Sequence, residues 1–176
     1  MAKEEVISMK KKVFQLLVEN TSGVLSRISG LFARRGYNIE SITAGVTADP
    51  RVTRITIVAT GDDEILEQIE KQLEKLVDVL DIKELKPDES VYRELALIKV
   101  SCPPSERPNL ISLAGVFRAN VIDTAKDGMI IEMTGNQGKI NAFLKLIDGF
   151  EILELARTGI AGLRRGTDDI VYPQLD

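Results

Sequence analysis

Histidine is absent from all 176 residues of this chain. That absence removes the commonest general base, the Ser–His and Cys–His nucleophile pairs, and the commonest metal ligand. Tryptophan is also missing and aromatics make up only 5%, so base-stacking platforms for nucleic acid are poorly supplied. The single cysteine, Cys102, can form neither an internal disulfide nor a thiolate metal cage, which fits a reducing cytoplasm. No run approaches the roughly 20 apolar residues that span a bilayer. The opening MAKEEVISMKKK mixes Glu with Lys and lacks the apolar core of a secretory signal. With 23 basic residues against 27 acidic ones, the net charge is −4, so no general attraction to nucleic acid or anionic lipid is expected. What remains is ordinary for a globular protein, 44% hydrophobic and 28% charged, in a length that suits one domain or two small ones. These features point to a small cytoplasmic binding or regulatory protein, with catalysis disfavoured.

Apolar patterning supplies the element order. Val13 to Val18 is a short apolar run that reads as a buried strand. After the polar turn Glu19-Asn20-Thr21-Ser22-Gly23, residues Val24, Leu25, Ile28, Leu31 and Phe32 recur at helical spacing, with Ser22 as the expected N-cap and Gly36 as the left-handed exit. Asn38 to Ala44 and Val52 to Thr60 read as strands around the turn at Ala48 to Arg51. A helix opens at Gly61-Asp62-Asp63 with Ile65, Leu66, Ile69, Leu73 and Leu76 on one face, and Val77 to Leu85 closes the unit as a strand. The order βαββαβ is the split-βαβ, ferredoxin-like plan. Lys86-Pro87-Asp88-Glu89-Ser90 is a polar boundary, and the order repeats beyond it with a period of about eighty residues. The repeat runs through a strand at Glu94 to Ser101, a helix carrying Leu110 to Phe117, and a hairpin around Lys126-Asp127-Gly128. A helix carrying Ile140 to Ile147 and a strand at Phe150 to Thr158 complete it. The expected fold is therefore α+β, two tandem ferredoxin-like domains at residues 10–86 and 87–166. A short extension (1–9) precedes them, and a polar tail, loose from Arg164 and set apart as residues 167–176, follows.

Most chemically suggestive clusters have plain readings. Asp62-Asp63 suits a helix start, and Asp168-Asp169 a solvated tail, better than either suits a cation site. Gly135-Asn136-Gln137-Gly138-Lys139 lacks the phosphate-loop spacing, and Ile140 stands where a Ser or Thr should be. Lys10-Lys11-Lys12, Arg34-Arg35 and Arg164-Arg165 are short and separated. The junction Glu19 to Leu25 says more, because a strand there feeds a helix N-terminus whose free N–H groups favour a carboxylate or phosphate. Gly23 permits close approach, Asn20 and Ser22 offer hydrogen bonds, and Val24 and Leu25 offer an apolar wall. A small zwitterion with an aliphatic side chain needs these features, and so does an ordinary helix cap. The residues alone leave the two readings level.

The run from Leu16 to Ile42, with its stretch Arg34-Arg35-Gly36-Tyr37-Asn38-Ile39-Glu40-Ser41, resembles the N-terminal ACT domain of the regulatory (small) subunits of acetohydroxyacid synthase, also called acetolactate synthase. The resemblance continues through Gln68 to Val79, Arg93 to Val100 and Ala156 to Gly159, spanning about Lys10 to Gly166. It departs in the extension at residues 1–9 and in Ala44-Gly45-Val46. In the second half, Pro103-Pro104-Ser105 replaces the Asn-x-Ser-Gly pattern.

The resemblance implies a non-catalytic subunit that activates a larger catalytic subunit and confers feedback inhibition, usually by valine, in branched-chain amino acid biosynthesis (valine, isoleucine and leucine). Thiamine diphosphate, FAD and magnesium would reside on that partner, with no cofactor on this chain. It further implies a homodimer through the ACT domain, with the effector between two copies. Asn20, Ser22, Gly23, Val24 and Leu25 would come from one copy and Asn38 and Ile39 from the other, with Gly45 lining the same interface. The second domain would serve dimerisation or contact with the catalytic subunit. Two other readings are a free-standing ACT-domain amino-acid sensor controlling another enzyme or a transcription factor, and an RNA-binding sheet of the same strand order. The second of these lacks exposed aromatic pairs on Val13 to Val18 and Val52 to Thr60.

Overall fold

The computed structural model describes residues 9–168, 170 and 171. The extension before Met9, Asp169 and residues 172–176 lie outside the described residues. Two compact units emerge, one of residues up to Val91 together with those from Gly162, the other Tyr92–Ala161. In the first, β1 (Lys10–Glu19), α1 (Val24–Arg35), β2 (Asn38–Val46), β3 (Val52–Gly61), α2 (Asp63–Glu74) and β4 (Val79–Glu84) follow in order. They form an antiparallel sheet of order β2-β3-β1-β4, the βαββαβ plan that the patterning predicts. Phe14, Leu16 and Val18 of β1 and Ile55, Ile57 and Ala59 of β3 face Ile28, Leu31 and Phe32 of α1 and Leu66, Ile69 and Leu73 of α2. Each fully buried side chain of this size contributes roughly 1.5–3 kcal/mol.

The second unit repeats the plan with β5 (Ser90–Ser101), α3 (Arg107–Val116), β6 (Asn120–Thr124), β7 (Gly128–Gly135), α4 (Gln137–Leu146) and β8 (Ile152–Arg157). Its sheet order is β6-β7-β5-β8. Ala96, Ile98 and Val100 pack with Met129, Ile131 and Met133 under Leu110, Ala114, Ile140 and Phe143. A further strand, β9 (Ala161–Arg164), pairs with β5. The polar composition predicts a loose tail from Arg164, and the structure corrects this at Arg164 and Arg165. The Arg165 N–H donates to Glu89 O at 2.8 Å and the Arg164 guanidinium lies 3.3 Å from the Glu89 carboxylate. The signal missed was backbone pairing, which any residue type can supply.

Three contacts fix the loop after β1. The Glu19 N–H donates to Asp78 O at 3.0 Å and the Asn20 N–H to Arg51 O at 2.7 Å. The Asp78 carboxylate then accepts two bonds from Arg27, from Nε at 2.6 Å and Nη2 at 2.7 Å. This fork-shaped pair ties the first turn of α1 to the chain between α2 and β4. Arg27, through those hydrogen bonds, holds the Asp78 carboxyl below its usual value of 3.8 despite burial. The stability from this pair is therefore complete above the ordinary carboxylate range and is lost as pH falls through the depressed value. Urea titrations across pH are expected to show wild-type stability falling steeply below about pH 4. Asp78→Asn should be less stable at neutral pH and fall less steeply in acid; identical pH profiles would refute the assignment.

Both α1 and α3 end in the same two-bond motif. In α1 the Gly36 N–H donates to Ala33 O and the Tyr37 N–H to Phe32 O, with Gly36 at φ 66°. In α3 the Arg118 N–H donates to Gly115 O and the Ala119 N–H to Ala114 O, but Arg118 occupies the left-handed position at φ 54°. A side chain there is strained by roughly 1–2 kcal/mol relative to glycine. Glycine gives part of that back as unfolded-chain entropy, so Arg118→Gly is expected to stabilise by about 1 kcal/mol, a rise of about 2–4 °C in calorimetric Tm. An unchanged or lower Tm would show that the Arg118 side chain makes compensating contacts.

Candidate functional site

The chain leaves β1 at Glu19 and enters α1 through a turn whose last residue is Gly23, at φ 87° and ψ −9°. Only glycine adopts that left-handed geometry without penalty. Gly23 therefore occupies the N-cap, one residue later than the Ser22 that spacing predicts, and Ser22 is exposed on the turn. No side chain caps α1, and its first turn carries no acidic residue. By contrast Asp62 caps α2 by accepting from the Ile65 N–H at 2.8 Å, and Asn136 caps α4 by accepting from the Lys139 N–H at 2.8 Å. The first N–H of α1 to bond within the helix is that of Arg27, to Gly23 O at 3.0 Å. The amides of Val24, Leu25 and Ser26 precede it and point out of the helix start, toward any anion placed there.

A positive charge adjoins these amides. A Cβ on Gly23 would lie 2.9 Å from Arg27 Nη1, so the guanidinium covers the glycine while its other nitrogens hold Asp78. Arg27 was not among the residues singled out from sequence, although its position four after Gly23, one helical turn on, was the signal for it. Asn20 is engaged within its own chain: Nδ2 donates to Pro50 O at 2.8 Å and Oδ1 accepts from Thr53 Oγ1 at 3.1 Å. It braces the turn between β2 and β3 against the loop. The Val24 side chain is 4% exposed and belongs to the core, so Val24 offers the loop its amide, whereas Leu25 is 50% exposed.

The structure thus brings Asn20, Ser22, Gly23, Val24 and Leu25 into one loop, and sets Asn38 and Ile39 elsewhere. Asn38 pairs across to Thr60, which pairs to Lys11 at the start of β1. Glu19 ends the same strand eight residues on, about 26 Å away at 3.3 Å per residue. Asn38 Nδ2 donates to Thr60 Oγ1 at 3.2 Å, and Ile39 packs half-buried on the core. Gly45 lies on β2 opposite Arg54, nearer the loop, with open space where a Cβ would be.

The remaining clusters have structural partners. Lys10 pairs with Asp63 at 2.6 Å, Lys11 with Glu40 at 2.6 Å and Lys12 with Glu84 at 2.8 Å, which neutralises that basic run. Lys139 Nζ donates to Thr134 O at 3.0 Å, and its own side chain fills the space beside Gly135, so no phosphate cradle is formed. Cys102 is fully buried, and burial pushes its thiol pKa up, away from the reactive thiolate. Among the described residues no group of three acidic, Cys or His side chains could hold a metal ion, and no helix is long and apolar enough to cross a membrane.

Comparison with known proteins is unambiguous. Residues 14–81 match the family model described as the AHAS small subunit-like ACT domain, and residues 93–166 that of the small subunit of acetolactate synthase. The chain is 47% identical over 156 residues to a probable acetolactate synthase small subunit of Methanothermobacter thermautotrophicus, covering 88% of this chain and 93% of that one. It is 45% identical over 157 residues to the isozyme 3 small subunit of Escherichia coli, covering 89% and 96%. The crystal structure of the acetolactate synthase small subunit from Thermotoga maritima superposes with a TM-score of 0.82 at 40% identity, covering 90% of this chain and 99% of that one. With both halves matched and nearly the whole length shared, this chain belongs to the family of acetolactate synthase small subunits, its first half an ACT domain.

Proposed function

We propose that this chain is a regulatory subunit that binds and activates a separate acetolactate synthase catalytic subunit in the cytoplasm and transmits feedback inhibition by valine. The uncapped start of α1 carries the reading. Three outward amides and the Arg27 guanidinium, which covers Gly23, converge at one end of the helix. A carboxylate satisfies those donors and favours the helix N-terminus, and the exposed Leu25 suits an aliphatic side chain. Thiamine diphosphate, FAD and magnesium belong to the catalytic partner in this reading. The second unit serves dimerisation or contact with that partner.

The effector's ammonium needs acceptors, and the side-chain amides of Asn20 and Asn38, which both donate and accept, serve its carboxylate and ammonium in this reading. On one chain Asn38 lies about 26 Å from the loop, so a site using both takes the loop from one copy and Asn38 from a second. Strand β2 supports such a pairing, since it is the sheet's edge strand and exposes Ile42 and Val46. A ligand bridging two copies alters their association or orientation, and coupling of this kind is typically worth about 1–3 kcal/mol.

Two measurements test the reading. Calorimetric titration with valine is expected to give saturable heat, and valine should lower the rate of the catalytic subunit assayed with this chain. Absence of both refutes the function. Gly23→Asp, which adds a carboxylate against the effector's and strains the turn, should abolish valine inhibition while activation persists. Asn38→Ala should do the same. An equal mixture of the two variants, after subunit exchange, should recover about one intact site in four, because half the dimers are mixed and each holds one unaltered site. No recovery in an exchanging mixture would rule out a site shared between copies.

A further inference from the structure

We propose that the first unit binds a phosphate group, free or on a small organic molecule, on the sheet face turned away from its helices, beneath the chain that follows β9. The idea stands apart from the effector reading. Residues Gln15 and Leu17 of β1 point to that face and are only 6% and 4% exposed, although no helix covers them. Leu163 to Gly166, with Ile170 and Val171, lie over them and leave a cavity of about 90 Å³. Among the described residues around it stand Arg54, Lys83, Arg164 and Arg165, with Asp81 as the carboxylate. The described lining residues therefore carry a formal charge of +3 in a chain whose net charge is −4.

Arg54 is the decisive group. It sits on β3 opposite Leu17, and its Nη1 is sealed from solvent with no hydrogen-bond partner. Burial lowers its pKa and the nearby Asp81 opposes that shift, yet a guanidinium remains protonated throughout. A buried charged donor without an acceptor is costly, and an oxyanion in the cavity supplies the acceptor. Asp81 in the lining and Glu89, whose carboxylate lies 3.3 Å from Arg164, offset two of the four cations and leave Arg54 and its neighbours with a positive excess among the described residues. That excess selects a multiply charged phosphate over a zwitterion such as valine, whose ammonium it repels. The volume is well below the roughly 300–1,000 Å³ of sites for drug-sized ligands, so only the phosphate group itself is enclosed. A bound phosphate would bridge Arg54 and Lys83 on the sheet to Arg164 and Arg165 on the covering segment, and pin that segment down.

The test uses the full chain with inorganic phosphate and, separately, glycerol 3-phosphate, at ionic strength held constant with potassium chloride. Saturable 1:1 binding by calorimetry is expected, together with slower tryptic cleavage after Arg164 and Arg165. Tighter binding of inorganic phosphate identifies the free ion as the ligand; tighter binding of glycerol 3-phosphate identifies a phosphorylated metabolite. Arg54→Met keeps the side-chain length, removes the buried charge, and should weaken binding about tenfold or more. Arg165→Met, on the covering segment, provides the same readout should Arg54→Met fail to fold. Absence of saturable binding of either probe, or unchanged affinity in the folded variant, overturns the proposal.

Discussion

Strand β1 is covered on both faces, and the rest of the first unit answers to that. One side of the strand presents Phe14, Leu16 and Val18 to the helices; the other presents Val13, Gln15 and Leu17, all 6% exposed or less. A strand so enclosed must pair on both edges, which β3 and β4 do, and it must be met by two layers rather than one. The helices supply the first layer. The end of β9 and the described residues Arg165, Gly166, Ile170 and Val171 supply part of the second.

The loop at the end of β1 follows from the same constraint. A strand held on both edges delivers Glu19 to a fixed place, where its N–H meets Asp78 O. The chain must then turn sharply to start α1 over the sheet, and the left-handed Gly23 makes that turn. A helix entered this way has no neighbouring Ser, Thr or Asp in position to cap it. Its donors stay open, and the Arg27–Asp78 pair holds positive charge beside them. The family's shared fold and the open helix start are thus parts of one arrangement.

Much of this was legible in the residues. The apolar run of β1, the helical stripe from Val24 to Phe32, Gly36 at the exit of α1 and Asp62 at the start of α2 all read correctly because each depends on local spacing. The cap of α1 was misplaced by one residue because composition favours Ser22, while the backbone turn demands glycine. Asn20 offered a free amide on paper; the fold spends it on Pro50 and Thr53, thirty and thirty-three residues away. Arg27 and Arg54 were passed over for the converse reason. Their significance lies in what the fold places beside them, a glycine four residues back in one case and a cavity in the other.

Under the proposed reading, in which an effector bridges two copies, the separation of Asn38 from the loop, about 26 Å along the sheet, has a bearing on how a metabolite is read. A receptor whose two contact surfaces cannot meet on one molecule has an affinity set partly by its own abundance. When copies are scarce and apart, the metabolite finds only half a receptor and is held weakly. As copies accumulate and associate, the same metabolite level registers more strongly. In that reading sensitivity rises with the amount of the sensor, and a cell that makes more of the pathway's machinery would also tighten the brake on it.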